Sequence, residues 1–263
     1  MELAGKRELR EPMKPGLVDI LSCLSCGGGE FRVESKETRG NDVIDGKIVC
    51  GKCGAEYAVR NGVLRCVESD KYVGNFSFEW QLHRKTQFDG PTSNESYEVF
   101  YRKTGIKEDQ VRGKKVLDVG VGTGRFADVA ERSGAEVVGI DLSYAVEAAV
   151  ENVGGRDRVN VIQADCFQLP FKKEQFDLIY SIGVLHHTPD CKKAFQGLIP
   201  YLKPGGTIVI WVYDAHVWQP GSVLDRVNSL WRSVTTRLPT KVLYGLCLVE
   251  LPFYFLRKIP FFD

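Results

Sequence analysis

The chain has 263 residues, a formal net charge of +1 and 26% charged residues, a composition that suits one sizeable globular domain and a small one. This balance of charge gives no general reason to expect binding to nucleic acid. The first sixteen residues lack the apolar stretch of a secretory signal, and the apolar run at residues 242–249 is far shorter than the ~20 residues that span a bilayer. We therefore expect a cytoplasmic location.

Changes in composition divide the chain into four segments. We expect a disordered tail and a zinc ribbon over residues 1–70, an aromatic linker and cap over 71–112, a ligand-binding core over 113–214, and a basic amphipathic helical segment over 215–263. In the core, short Val- and Ile-rich runs alternate with helix-like stretches, which is typical of strands buried on both faces of a parallel sheet. The predicted fold class is α/β, a doubly wound, mainly parallel Rossmann-like sheet preceded by a small four-cysteine ribbon.

Two Cys-x-x-Cys-Gly pairs lie near the N-terminus, at Cys23 and Cys26 and at Cys50 and Cys53. Two residues between thiolates let both reach one tetrahedral ion, and four thiolates leave no open position for catalysis. In a chain with no expected signal peptide, such pairs indicate metal ligands more than disulfides. We predict one structural zinc ion, with iron or two disulfides as the alternatives. Its loss is expected to unfold the ribbon and to leave ligand binding in the core largely intact.

The first core strand leads through Asp118 into a glycine-rich turn at Gly120, Gly122 and Gly124. Glycines permit a tight turn and a close approach of the backbone to a ligand. The next strand ends at Asp141, whose carboxylate can accept hydrogen bonds from both hydroxyls of a ribose. A single glycine motif is weak evidence, so these residues alone fit either a dinucleotide or another adenosine-containing cofactor.

Five segments in sequence order resemble the motifs of class I S-adenosylmethionine-dependent methyltransferases. They are residues 116–126 (VLDVGVGTGRF), 138–143 (VGIDLS), 164–171 (ADCFQLPF), 176–190 (FDLIYSIGVLHHTPD) and 202–212 (LKPGGTIVIWV). The resemblance covers most of the predicted core, and it implies S-adenosylmethionine as the cofactor.

The resemblance also implies a set of cofactor-binding residues: Asp118, Gly120, Gly122, Gly124, Asp141, Leu142, Asp165, Cys166, Ser181 and Ile182. In that family, Asp165 and the amide of Cys166 would lie at the adenine, while Ser181 and Ile182 would lie beside the methionine amine and the sulfonium. Trp80 belongs to an aromatic segment before the core that is expected to fold over the cofactor. The alternative is a hydrophobic linker that packs on the core.

His186 and His187 follow the fourth core strand and are the candidates for a catalytic base. A base is needed only when the acceptor atom carries a proton. The alternative is that one histidine caps the next helix and the other packs. The chain lacks the Asn-Pro-Pro-Tyr type of motif that marks methylation of exocyclic base amines in this family, which weakens that chemistry.

Residues 17–26 and 50–66 resemble the small zinc-ribbon activator of tRNA and rRNA methyltransferases. Over residues 1–67 acidic and basic residues nearly balance, whereas a ribbon that binds RNA should be clearly basic. We therefore expect a structural or lid role and no nucleic-acid partner. In the last segment, helical spacing of apolar residues with an excess of basic ones suits peripheral membrane contact, a homodimer contact or packing on the core.

We predict an enzyme that transfers a methyl group from S-adenosylmethionine to a small-molecule or lipid-linked metabolite. One alternative is an rRNA or tRNA methyltransferase that uses the ribbon to hold RNA, which the charge balance disfavours. The other is a non-catalytic, cofactor-binding partner protein, which the intact cofactor motifs disfavour. The sequence does not specify the acceptor, nor whether the methyl group goes to O, N, C or S.

Overall fold

A computed structural model of the chain describes residues 13–67, 85, 88–90, 92–213, 223–235, 237–239 and 242–246. The chain divides into two compact units, residues 1–213 and 214–263. The first unit holds both the cysteine-bearing region and the predicted ligand-binding core. The finer boundaries expected at residues 70 and 112 stay predictions.

The strands of the first unit are β1 (Phe31–Arg39), β2 (Asp42–Cys50), β3 (Glu56–Arg60), β4 (Val63–Arg65), β5 (Lys115–Val119), β6 (Glu136–Asp141), β7 (Val159–Gln163), β8 (Phe176–Ile182) and β9 (Leu202–Trp211). Among the described residues they form a single sheet in the order β1-β2-β3-β4-β7-β6-β5-β8-β9. Strands β1 to β4 pair antiparallel, and all pairs from β4 to β9 are parallel. The predicted mainly parallel Rossmann-like sheet is confirmed.

Helices and short 3-10 turns connect the strands. The helices are α1 (Glu95–Thr104), α2 (Arg125–Arg132), α3 (Ala145–Val153) and α4 (Cys191–Leu198), and 3-10 helices lie at Pro15–Ile20, Glu108–Gln110, Leu185–His187 and Ile199–Tyr201. Side-chain caps fix some of the helix starts. The Asp190 carboxylate accepts from the Lys193 amide at 2.9 Å, and the Asp89 carboxylate accepts from the amides of Ser96 and Tyr97 at 2.6 and 3.2 Å.

The parallel strands are buried on both faces, as their sequence pattern predicts. Neighbouring residues alternate between two hydrophobic cores, because successive side chains of a strand point to opposite faces. Val116 belongs to one core and Leu117 to the other, and neither has any exposed surface. The core on the Val116 face includes residues of α1, α2 and α3, and the core on the Leu117 face includes residues of α4. This double cover makes the fold a doubly wound α/β sheet.

The N-terminal cysteine ribbon is continuous with the parallel sheet. Strand β4 adds to the edge strand β7, with Leu64 opposite Ile162 and Arg65 opposite Gln163. Residues of the Pro15–Ile20 helix pack in the same hydrophobic core as the centre of the sheet. The shared core argues against the expectation that the ribbon can unfold while the rest of the unit stays unchanged.

The second unit contains helix α5 (Val223–Thr235), in agreement with the helical spacing of its apolar residues. Within that unit, the side chains of Leu230 and Trp231 are 70% and 55% exposed. Among the described residues there is no helix with both the length and the apolar character needed to cross a bilayer.

Arg65 links the ribbon to two elements of the parallel sheet. Its guanidinium donates to the Gln163 side-chain oxygen at 2.9 Å and pairs with the Glu147 carboxylate of α3. The Arg65 side chain is 10% exposed, so this ion pair is largely shielded from water. Gln163 in turn donates to the backbone oxygen of Leu142 at 3.0 Å. One buried arginine thus connects β4, β7 and the segment that follows β6.

We expect Arg65→Met to lower the free energy of unfolding by about 1–3 kcal/mol, because it leaves the half-buried Glu147 charge and the Gln163 oxygen without their partner. Chemical denaturation of the full chain measures this. The control is Arg32→Met, which removes an exposed ion pair to Glu34 in the same ribbon and should change stability much less. Equal losses in the two variants would contradict the assigned role of Arg65.

Candidate functional site

The glycine-rich loop between β5 and α2 forms the floor of the site. Gly120 has a φ of 85°, and a Cβ built on it would lie 2.3 Å from a methyl carbon of Val184. Only glycine suits this position, because any other residue would be strained at this positive φ and its Cβ would clash with Val184. The amides of Gly120 and Val121 both donate to the Ile140 oxygen, at 2.8 and 2.9 Å. The loop is therefore held against the end of β6.

Asp141, the last residue of β6, organises the turn around it. One carboxylate oxygen accepts from the Gly122 amide at 3.0 Å, and the other accepts from the Ser143 amide and hydroxyl at 2.8 and 2.6 Å. Burial raises the pKa of Asp141, while its hydrogen bonds from Ser143 and Gly122 act in the opposite direction. The oxygen that accepts from Gly122 keeps an acceptor position for a further donor, such as a ribose hydroxyl, whereas the other oxygen already accepts twice.

Asp118 lies beneath the loop. The Tyr180 hydroxyl of β8 donates to its carboxylate at 2.9 Å, and Asp118 is 3% exposed. Burial raises the pKa of Asp118 to about 7, and the charge of Asp141 adds to the rise, although the hydrogen bond from Tyr180 opposes it. Asp118 therefore ties β5 to β8 and supports the loop from below.

A cavity of about 280 Å³ opens at the carboxyl ends of the parallel strands. At such an edge, open α/β sheets bind their ligands. Among the predicted site residues, eight line this cavity: Gly120, Gly122, Asp141, Leu142, Asp165, Cys166, Ile182 and His187. Burial, with the charges of Asp165 and Asp141, raises the pKa of Cys166 to about 12, so this thiol stays protonated at neutral pH.

Other predicted residues lie next to the cavity and do not line it. Gly124 caps α2 with a φ of 91°, and the Ser181 hydroxyl donates to the Val119 oxygen at 2.8 Å. His186 packs its ring against His187 and Tyr213, with ring centroids 4.0 and 4.3 Å away. Trp80 lies outside the described residues, so its expected contact with the cofactor stays a prediction.

The two histidines occupy different environments. His187 lines the cavity. Both ring nitrogens of His186 are buried, and among the described residues neither has a hydrogen-bond partner. Burial and the neighbouring His187 lower the pKa of His186, which keeps its ring neutral. Of the two, His187 is the better placed to meet a bound molecule.

Sequence reasoning missed one side of the cavity, which is formed by Lys103, Arg125, Val184, Thr188, Trp211 and Tyr213. The Lys103 ammonium lies 3.6 Å from the centroid of the Trp211 ring. Trp211 lies in the last of the five resembling segments, so its position at the end of β9 was the available signal. No pattern in the sequence indicated Lys103, because helix α1 reaches the cavity only through tertiary packing.

The four predicted metal ligands come together at one end of the ribbon. The sulfur atoms of Cys23, Cys26, Cys50 and Cys53 all lie within 4.8 Å of one another. The Cys23–Cys53 and Cys26–Cys50 sulfur distances are 3.7 and 3.6 Å. Four thiolates at ~2.3 Å from a tetrahedral zinc ion would be about 3.8 Å apart, so this donor set fits zinc.

Tyr57 of β3 supports this four-cysteine cluster. Its hydroxyl oxygen accepts from the Leu24 amide at 2.9 Å, which leaves the hydroxyl proton free to point to the Cys23 sulfur at 3.2 Å. Burial disfavours ionisation of Cys23, but hydrogen bonds from Tyr57 and nearby amides outweigh it and lower its pKa to about 6. The thiolate form, which binds metals, is thereby favoured.

Residues 117–210 match the sequence family described as a methyltransferase domain. Over this range the chain is similar to methyltransferase domains. The matched range runs from β5 to β9 and includes the glycine-rich loop, Asp141 and the strand ends around the cavity. The domain was predicted from five motifs in the sequence, and that prediction is confirmed.

Curated relatives share the domain and differ in what they act on. A demethylmenaquinone methyltransferase of Clavibacter sepedonicus is 37% identical over 38% of this chain and 41% of its own length. Phosphoethanolamine N-methyltransferase 1 of Zea mays is 37% identical over 45% of this chain and 24% of its own length. A sterol 24-C-methyltransferase of Aspergillus fumigatus is 32% identical over 68% and 47%. The chain thus spans less than half the length of each of these relatives.

Two solved structures have partial similarity to the chain. An S-adenosylmethionine-dependent methyltransferase from Mesorhizobium loti is 30% identical, with a TM-score of 0.39 over 44% of this chain and 52% of that chain. Phosphoethanolamine N-methyltransferase 2 of Haemonchus contortus, solved with phosphomonomethylethanolamine and S-adenosylhomocysteine, is 25% identical, with a TM-score of 0.47 over 61% and 38%.

The raised pKa of Asp118 predicts a pH dependence of stability. In the folded state its pKa of about 7 exceeds the ordinary value of 3.8. The protonated form of Asp118 therefore stabilises the fold. This contribution to stability is lost as the pH rises through the window between those two values. Asp118→Asn cannot titrate but keeps an oxygen for Tyr180. As the pH rises through the window, we expect the free energy of unfolding to fall less in this variant than in wild type. The difference is at most ~1.4 kcal/mol per pH unit.

Denaturation curves collected at several pH values test this prediction. The control is Asp157→Asn, which changes an exposed residue before β7, at the amino end of the sheet. If wild type and Asp118→Asn lose stability equally as pH rises, the carboxyl group of Asp118 does not titrate in that window.

Proposed function

We propose that the chain is an S-adenosylmethionine-dependent methyltransferase that acts on a small-molecule or lipid-linked acceptor. This proposal rests on one observation: the residues that match the methyltransferase family also line the cavity. The matched range, 117–210, contains the glycine-rich loop and Asp141. The relatives that act on menaquinone precursors, phosphoethanolamine and sterols support a small or lipid-like acceptor.

The cavity fits the proposed cofactor. Its floor is a backbone loop with no side chain at Gly120 or Gly122, so a ligand can lie directly on peptide groups. Asp141 provides an acceptor oxygen for a ribose hydroxyl, and Asp165 and Cys166 line the same cavity. Ile182 lies at the end of β8, where the family resemblance puts the sulfonium.

When bound, S-adenosylmethionine supplies a methyl group that its positive sulfur already activates. The protein therefore has to align an acceptor with that group and exclude water. In our proposal Asp141 fixes the ribose, while Thr188, Trp211 and Tyr213 surround the acceptor. His187 takes the proton of an acceptor that carries one. His186 acts through packing, because its ring nitrogens are buried against its neighbours.

Two rival functions have less support. An rRNA or tRNA methyltransferase would need a clearly basic surface on the ribbon, whereas acidic and basic residues nearly balance there. A non-catalytic partner protein would not need a cavity lined by an intact glycine loop and the Asp141 carboxylate.

We also propose that helix α5 of the second unit contacts a partner. Exposed Leu230, Trp231 and Val234 lie on α5 close to the exposed Arg232, a combination that suits a lipid surface or a second copy of the chain. Peripheral membrane contact would bring the enzyme to a lipid-linked acceptor. A cytoplasmic location is part of this proposal, because clustered free thiols persist in reducing compartments.

We expect Asp141→Ala to weaken binding of S-adenosylhomocysteine by tenfold or more, since a lost charge-assisted contact to the ribose costs about 2 kcal/mol. Calorimetry on the full chain measures this, with the exposed Asp157→Ala as the matched control. Transfer of a labelled methyl group from S-adenosylmethionine to lipid extract, metabolite pools and RNA then identifies the acceptor class. Binding of NAD in place of the methyl donor would refute the proposed function.

For the four-cysteine cluster we propose a structural zinc site. Its support is the tetrahedral spacing of the sulfur atoms and the absence of any place for a substrate among four protein ligands. The cluster lies in the ribbon, whose strands continue into the parallel sheet through β4 and β7. Metal binding there would therefore stabilise more than the ribbon.

Elemental analysis of the purified chain should find about one zinc ion per chain. Because the ribbon shares a core with the parallel sheet, chelation should lower the melting temperature of the whole first unit in one transition. Cys26→Ser should lose the metal, whereas Cys191→Ser, a change at a half-buried cysteine outside the cluster, should keep it. A metal-free protein with two disulfides in the ribbon would contradict the proposal.

A further inference from the structure

The side chains that line the cavity separate by charge. Asp141 and Asp165 lie at the end assigned to adenosine, after strands β6 and β7. Lys103, in the last turn of α1, and Arg125, the first residue of α2, line the other end. The cavity therefore offers negative groups to one part of its contents and positive groups to another.

Lys103 lies close to the position where the methyl group would be presented. Its ammonium is 3.6 Å from the centre of the Trp211 ring. Trp211 pairs with Ile182 across β8 and β9, and its backbone oxygen accepts from the Gly183 amide at 2.8 Å. These contacts connect Lys103 through Trp211 to the end of β8, beside which the proposed function puts the sulfonium.

Arg125 and Lys103 differ in the contacts that they make. Arg125 donates to the Ser96 hydroxyl at 2.9 Å and reaches the carboxylate of the highly exposed Glu95 at 3.7 Å. For Lys103 the recorded contact among the described residues is the ring of Trp211. Burial, Arg125 and Arg102 all lower the pKa of Lys103, which shows that its charge is disfavoured in this setting. A bound anion would relieve that cost.

The ring that Lys103 contacts, that of Trp211, belongs to an aromatic cluster. Trp211 and Tyr213 meet edge to face, with ring centroids 5.2 Å apart, and Tyr213 also contacts His187. Aromatic faces bind planar or apolar groups, and the ammonium beside them would hold a negative group of the same molecule.

We propose that the methyl acceptor is an anion with an aromatic or other apolar body, whose carboxylate, phenolate or phosphate is bound by Lys103 and whose body packs on Trp211 and Tyr213. This inference rests on the proposed methyltransferase function and specifies its substrate class. The negative group anchors the acceptor, and the methylated atom can be another atom of the same molecule.

The first experiment tests whether the cofactor itself provides the anion, since its methionine part carries a carboxylate. The Lys103→Met variant and wild type are compared by calorimetry with S-adenosylhomocysteine and with methylthioadenosine, which lacks that carboxylate. We expect both affinities to stay within about twofold of wild type. A loss for S-adenosylhomocysteine alone would overturn the proposal, because Lys103 would then bind the cofactor. Failure of wild type to bind S-adenosylhomocysteine would instead refute the proposed function.

The second experiment uses the full chain saturated with S-adenosylhomocysteine and three probes of one shape: benzoate, benzamide and benzylammonium. We expect benzoate to bind most tightly and to lose about tenfold in affinity in Lys103→Met, while benzamide changes little. Lys103→Arg should retain benzoate binding. The control is Lys115→Met, a lysine at the amino end of β5 that pairs with Glu136. Equal binding of benzamide or benzylammonium, or no effect of Lys103→Met on benzoate, would overturn the proposal.

Discussion

The carboxylate of Asp141 holds the ends of two neighbouring strands in one arrangement. It accepts from the Gly122 amide in the loop after β5 and from Ser143 in the turn after β6, so the two turns cannot move independently. Helix α2 begins directly after this loop, and the floor of the cavity is the loop itself. The group proposed to bind the ribose is therefore fixed before any ligand arrives. Such preorganisation keeps the entropic cost of binding low, because little remains to be ordered.

The sequence predicted those parts of the fold that depend on neighbouring residues. The Val- and Ile-rich runs, the glycine loop and the cysteine pairs each encode their structure locally, and all appear where they were expected. The junction of the ribbon with the sheet was not predictable in this way. Strand β4 has three residues, and its partner in β7 lies far along the chain. Lys103 was not predicted for the same reason, since only the packing of α1 against the core brings it to the cavity.

The ribbon and the adenosine end of the cavity are neighbours in the structure. The Ser22 amide, next to the cysteine cluster, donates to the Pro170 oxygen at 2.9 Å, and Leu21 bridges to Phe171. On the other side, Gln163 connects Arg65 to the Leu142 backbone. The segment between Gln163 and Phe171, which contains the cavity residues Ala164, Asp165 and Cys166, is thus attached to the ribbon at both of its ends. The four-cysteine cluster, proposed as a metal site without a catalytic role, therefore still belongs to the framework of the cavity.

The position of β4 between β3 and β7 has a consequence for the order of folding during synthesis. Arg65 and Gln163 are 98 residues apart, and the ribosome needs roughly 5–20 s to add that length at typical bacterial rates. During that interval the four cysteines are already translated and can capture a metal ion, while β4 is paired on one side only, with β3. The metal would then stabilise this short hairpin until β7 emerges. Once joined, β4 covers the edge of β7, where an exposed strand would invite pairing with other chains.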